Sequence, residues 1–208
     1  MNERKSNYDL TRDRVESEFL KYRQDTMIEK FHLVHDSGFL YLRFLACGYR
    51  VNRKTGRVER LTEQGPVHAG FNETMTIFDV LCESKPDCRL SGEFVRVNDL
   101  DGIPRTARLG DSLFDGSAKA FTHRAEALKA ACQRLGGVAG SVGDVSYRIP
   151  MFDFLPVMLQ FWDADDEFDA VLKIMWDRRT LDFMRYETTW YAAGHLLNRL
   201  EEWMEEAG

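Results

Sequence analysis

Five acidic residues crowd the segment FWDADDEFDA: Asp163, Asp165, Asp166, Glu167 and Asp169. Carboxylate oxygens at this density are the hard ligands that Mg²⁺ or Ca²⁺ takes when three of them converge. The spacing departs from a calcium loop. Counted from Asp163, Phe168 stands where the turn glycine belongs and Ile174 where the bidentate glutamate belongs. Asp is also a natural turn residue, because its side chain bonds its own backbone two residues on. The same run therefore also reads as the solvated tip of a hairpin, and no metal is assigned to it. Asp144, preceded by Gly143 at the head of an earlier strand-like run, is the acid that a neighbouring loop would add.

The other reactive side chains are less organised. LGGVAGSVGD holds Gly136, Gly137, Gly140 and Gly143, but it follows a helical pattern and precedes a strand. A dinucleotide fingerprint needs the opposite order and a G-x-G-x-x-G spacing, so a helix cap followed by a turn is the plainer reading. His32 and His35 stand three apart, which would put both on one helical face, without a third ligand. His195, between Tyr191 and Asn198, is expected on the polar side of the last helix, where a histidine can also serve as a general acid or base. Cys47, Cys82, Cys88 and Cys132 form no C-x-x-C and read as reduced thiols, mostly small core residues. Neither G-x-S-x-G nor H-E-x-x-H occurs, so no catalytic residue is assigned.

The 208 residues carry 28 Lys and Arg against 34 Asp and Glu, a net charge of −6. That length and a 44% apolar composition predict one globular domain spanning residues 1–208. The charge is uneven, at +4 over residues 1–60, −2 over 61–150 and −8 over 151–208. The basic segment RVNRKTGRVER, with Arg50, Arg53, Lys54, Arg57 and Arg60, is short within an acidic chain, which argues against nucleic acid as a partner. Lys and Arg on an edge hairpin also discourage unwanted sheet pairing. The first residues lack an apolar export signal and no apolar run is long enough to span a bilayer, so the expected location is the cytoplasm, with no membrane partner.

Apolar periodicity supplies the elements. Val15, Phe19, Tyr22, Ile28 and Phe31 predict one amphipathic helix over residues 9–31, capped by Asp9 or Thr11. FLYLRFLACGYRV, a turn at Asn52–Gly56 and RVERL predict an antiparallel meander near 39–60. A short helix follows from Asn72 with Met75, Phe78 and Leu81 on one face, then a strand near 93–97 closed by Asp101-Gly102 and Pro104. Phe121, Ala125, Leu128, Cys132 and Leu135 advance by four, three, four and three, predicting one helix from Ser117 that Gly136-Gly137 ends. VSYRI, LPVMLQFW and FDAVLKIMW, parted by Pro150, Pro156 and the acidic turn, predict neighbouring strands over 144–176, and the apolar stripe Trp190, Ala193, Leu197, Leu200 and Met204 a terminal helix from about Glu187. Grouped strands between helices give an α+β class: a largely antiparallel sheet packed with about four amphipathic helices.

SGEF near Ser91, the helix ending LGG, GDVSYRI, LPVMLQFWDADDEFDAVLKIMWD and the final helix resemble an uncharacterised bacterial and archaeal family, domain of unknown function 3786, over roughly Phe71 to Leu200. Its most specific parts are Gly143-Asp144 and the turn Trp162-x-x-Asp165-Asp166-Glu167-Phe168. The resemblance implies context only: such proteins are frequent in anaerobes, and some relatives look fused to an iron–sulfur domain whose cluster motif this chain lacks. It carries no catalytic residue and names no cofactor. The resulting expectation is a non-enzymatic protein binding a small polar ligand or cofactor, with one-carbon or corrinoid metabolism as its setting, through Gly143, Asp144, Trp162, Asp165, Asp166 and Glu167. The alternatives are a protein-interaction subunit, suggested by the uneven charge and by Trp190 and Trp203, and a metal-assisted or acid–base enzyme using Asp144, Asp166 and Glu167.

Overall fold

A computed structural model of the chain describes residues 6–103 and 114–206; Pro104 of the predicted turn lies outside them. Among the described residues are six helices and ten strands in the order α1 (Asn7–Phe19), α2 (Gln24–Phe31), β1 (Val34–His35), β2 (Phe39–Phe44), β3 (Cys47–Asn52), β4 (Val58–Thr62) and β5 (Gly65–His68). There follow α3 (Phe71–Glu83), β6 (Phe94–Arg96), α4 (Asp115–Phe121), α5 (Ala125–Arg134), β7 (Val138–Ala139), β8 (Val145–Phe152), β9 (Leu155–Trp162), β10 (Val171–Asp177) and α6 (Tyr186–Glu206). The fold is α+β, and every strand pair is antiparallel.

Six helices rather than about four arise because two predicted helices are each broken. The first starts at the cap Ser6, whose side chain and Asp9 form a capping box, and stops at Phe19; α2 resumes at Gln24 with its own buried pair Met27 and Phe31. Nothing in Leu20–Arg23 is a helix breaker by residue type. The change of direction is held by tertiary bonds, Tyr22 to Glu83 and a reciprocal pair between Gln24 and Arg53. The second break falls at Thr122–Arg124, where His123 takes a left-handed φ of 58° and gives its N–H to Asp163. Phe121 and Leu128 are both fully buried, so the apolar spacing runs through a break that it does not reveal.

The strand order is β5-β4-β3-β2-β8-β9-β10-β6, with β1 and β7 paired off this path to β2 and β8. Pro150 and Pro156 do not separate strands as expected. They lie opposite each other inside β8 and β9, next to an irregularity between Pro150 and Phe152, where a missing N–H is tolerated. The predicted meander is present and gains β5.

Its first two strands, β2 and β3, turn at Leu45-Ala46, both at positive φ (48° and 60°), a two-residue hairpin made without the usual glycine or asparagine. Left-handed backbone costs an L residue about 1–2 kcal/mol. Leu45 is fully buried and gives its N–H to the Met151 carbonyl at 2.8 Å, which holds it there. The front half (β1–β5) and the back half (β6–β10) of this one sheet are laddered together at this place alone among the described residues, through the single pair Phe44–Phe152. Each hairpin's turn, Leu45-Ala46 or Asp153-Phe154, therefore lies beside a strand of the other. A column of stacked rings, Phe44, Phe152, Phe154 and Phe31, fills the joint at centroid spacings of 4.6, 5.4 and 4.2 Å.

Residues 90–93 and 176–178 are tied together where the start of β6 meets the end of its antiparallel neighbour β10. Asp177 is 1% exposed and accepts the N–H groups of Ser91, Gly92 and Arg179 and the Ser91 hydroxyl, at 2.8–3.0 Å. The SGEF segment and the final aspartate of β10 thus form one structural clasp.

Candidate functional site

The acidic run is the loop between β9 and β10, beyond the pair Trp162–Val171. Two of its five carboxylates, Asp163 and Asp165, turn back on backbone. Asp144 accepts the Asp163 N–H at 2.8 Å, and Asp163 accepts the N–H groups of His123 and Ala164 at 2.9 and 2.8 Å. Asp165 accepts those of Glu167 and Phe168 at 2.9 and 2.8 Å, bonds that hold its carboxyl below the usual range. Asp166 and Glu167 are exposed. Trp162 lies under Lys173, its ring centroid 4.7 Å from Nζ. Gly143 has a φ of 80°, and a Cβ there would stand 2.6 Å from the Phe161 carbonyl oxygen, so glycine is required. The structure thus joins Gly143, Asp144 and Asp163 at the strand ends and leaves Asp165, Asp166 and Glu167 at the tip. No three His, Cys, Asp or Glu among the described residues are grouped to hold a metal ion.

The histidines differ from expectation. His32 is the left-handed C-cap of α2 and His35 sits in β1, so they share no helix face. His195 is buried rather than on the polar side of α6. Its Nε2 stands 3.3 Å from the Tyr49 hydroxyl, which donates to Glu73 at 2.5 Å, and 3.8 Å from the Glu73 carboxylate itself. Burial pulls the His195 pKa down to about 4 and pushes the Tyr49 hydroxyl far up, so both are neutral at neutral pH. Gly136, at a φ of 76°, and the bond from the Gly137 N–H to the Cys132 carbonyl end α5 as the glycine pair predicts. The four cysteines are free, and burial pushes the Cys132 thiol up to about 12. In the basic hairpin, Arg50 and Arg57 meet Glu59, Arg53 bonds Gln24 and the Asp36 carbonyl, and Arg60 approaches Glu73.

A different acid organises an open cleft of about 710 Å³ between α1, α3 and the start of α6. Asp79, fully buried in α3, accepts the Arg185 backbone N–H at 2.6 Å, the Thr188 hydroxyl at 2.7 Å and the Arg185 guanidinium through Nε at 2.6 Å and Nη2 at 2.5 Å. Arg185 immediately precedes α6, so the carboxylate also sits at the positive end of that helix. The cleft wall carries Arg14 and Glu18 from α1, Tyr22, Glu83, and Glu187 from α6, over a floor of Val15, Met75 and Phe78. Tyr22 donates to Glu83, a bond that pushes its hydroxyl up to about 12. The usable signal was in the sequence: Asp79 interrupts the apolar run Ile77-Phe78-Val80-Leu81 on a helix facing the core, and acids in such places are almost always paired.

Residues 25–199 match the family described as Domain of unknown function (DUF3786). The chain belongs to that family, and the match takes in α2 and the front half of the sheet as well as the region from Phe71 onward. No curated protein and no solved structure matches the chain. No helix among the described residues is long and apolar enough to cross a membrane.

Proposed function

We propose that this family member is a non-enzymatic binding protein for a small polar molecule, received in the cleft between α1, α3 and α6. The observation that carries the reading is the fully buried Asp79, which fixes the Arg185 guanidinium at the cleft. A charged group held in place before the ligand arrives spares the cost of ordering it on binding. A concave site with an apolar floor and a few placed polar groups is the usual form of a small-molecule site. The one-carbon and corrinoid setting rests on the family's company alone and enters the test as one arm. Thermal-shift measurements of the full chain with carboxylates, amino acids, peptides, nucleotides, divalent metals and a corrinoid should raise Tm for at least one class. That rise should vanish in Arg14→Gln, and an unmoved Tm across the panel overturns the reading.

A second reading, an interaction subunit, draws on an apolar groove of about 300 Å³ at the joint of the two halves of the sheet, lined by Leu33, Val34, Tyr41, Leu61 and Phe154. Val34 is 72% exposed there, and contiguous exposed apolar surface marks association sites. Light scattering across a concentration series tests self-association; a monomer at every concentration counts against a homomeric form of this reading. The acid–base alternative at Asp144, Asp166 and Glu167 has less support, because Asp144 is engaged by the Asp163 N–H.

A further inference from the structure

We infer that the ligand of the cleft is a zwitterion of short-peptide size, its carboxylate on the Arg14 and Arg185 guanidinium groups, its ammonium on Glu187 and its apolar side chain over Met75 and Phe78. This rests on the reading of the cleft as a ligand site and names the ligand class.

The inference follows from which charges in the cleft are already engaged. Glu18 holds Lys21 at 2.6 Å, and Glu83 holds the Tyr22 hydroxyl. Arg185 commits Nε and Nη2 to Asp79, which leaves Nη1 of its planar fork for another acceptor. Arg14 and Glu187 are exposed and make no hydrogen bond or ion pair among the described residues. Two cationic donors and one carboxylate therefore line one cavity unspent. A simple anion would answer the arginines and leave Glu187 to lose water without compensation; a simple amine would do the reverse to Arg14. A molecule carrying both charges satisfies all three. The volume of about 710 Å³ is far more than a monatomic or phosphate-sized ion fills, and the floor of Val15, Met75 and Phe78 suits an aliphatic or aromatic side chain. Free peptides present these features together: an ammonium, a carboxylate and an apolar group between them.

The test uses the full chain and three sets of tripeptides with alanine at both ends and each apolar residue in turn at the centre: free, N-acetylated and C-amidated. Binding is followed by calorimetry and by NMR shifts of cleft residues. Arg185 is kept, because it holds Asp79; Arg14→Gln and Glu187→Gln are on exposed positions, and unchanged Tm values confirm their folding. The expected result is that some free tripeptide binds and that acetylation and amidation each weaken it about tenfold or more. Arg14→Gln should abolish the difference between free and amidated forms, and Glu187→Gln that between free and acetylated forms. Equal binding of all three sets overturns the zwitterion inference, and the cleft reading survives if that binding still falls in Arg14→Gln. If no tripeptide binds while butyrate or inorganic phosphate does so in an Arg14-dependent way, the ligand is a simple anion and the inference falls alone. If no probe binds, both fall.

Discussion

Asp79 in α3 and Asp166 in the β9–β10 loop are the same side chain in opposite surroundings. The first interrupts an apolar stretch of its helix, fully buried, with its oxygens shared among an arginine, a threonine hydroxyl and a backbone N–H. The second is one of five acids on a hairpin tip and points to solvent. Crowded carboxylates repel one another and gain most from water, so a dense acidic run settles where water is and bonds its own turn. A single acid carried into a core must find partners, and the partners it recruits become a fixed arrangement of charge. Isolation among apolar residues is thus the better pointer to an organised site than abundance.

Four measurements can break or sharpen this contrast. The largest effect is expected for Asp79→Ala, which strands Arg185, Thr188 and the head of α6: about 3–5 kcal/mol of stability in urea unfolding, or a Tm fall on the order of 10 °C for a chain of this size. A loss no larger than that of a surface substitution would erase the distinction between the two regions. Next comes the other buried acid of α3, Glu73, with its neighbour His195. Because His195 has a folded pKa of about 4 against an ordinary 6.5, the unfolded chain takes up its proton first as pH falls. Its stabilising effect is therefore complete above about pH 6.5 and is lost progressively down to about pH 4, by about 3 kcal/mol. Unfolding free energies of wild type and His195→Gln should diverge by that amount between pH 7 and pH 4; parallel curves would place the imidazole in water. Smaller still is Asp165→Ala, which removes two turn bonds at the exposed tip and should lower Tm by only about 1–2 °C. Smallest is the pair Asp166→Asn and Glu167→Gln, expected to leave Tm within about 1 °C, with millimolar Mg²⁺ or Ca²⁺ changing neither protein. A metal-dependent rise lost in the double variant would restore the loop as a site.

The legibility of the fold follows the same physics. Phe39–Thr62 and Val145–Asp177 were readable as strands because β-branched and aromatic runs between turn residues are a local signal, and the helix stripes at Met75–Leu81 and Ala193–Met204 were readable for the same reason. The breaks at Leu20–Arg23 and Thr122–Arg124 were not, because they are made by distant partners, Glu83, Arg53 and Asp163, while the apolar spacing continues across them. Pro150 and Pro156 misled for a related reason: facing each other beside an irregular register, they break no ladder that either would have completed. The positions of Gly143, Asp144 and the acidic turn were anticipated as neighbouring loops. The cleft was not, since it is built from α1, α3 and α6, elements far apart in sequence whose facing sides carry no shared motif. His195 was placed on the wrong side of its helix because its partner in burial, Tyr49, comes from the other end of the chain.

The joint between the two halves of the sheet has a consequence for how this chain can change length. Loops are ordinarily where insertions are tolerated, yet Leu45-Ala46 and Asp153-Phe154 each lie against a strand of the opposite half, in register with the pair Phe44–Phe152. Adding residues to either turn would drive it past its neighbour and unstack the ring column behind it. These two two-residue turns thus act as its gauge, and family members should vary in length almost anywhere else before they vary there.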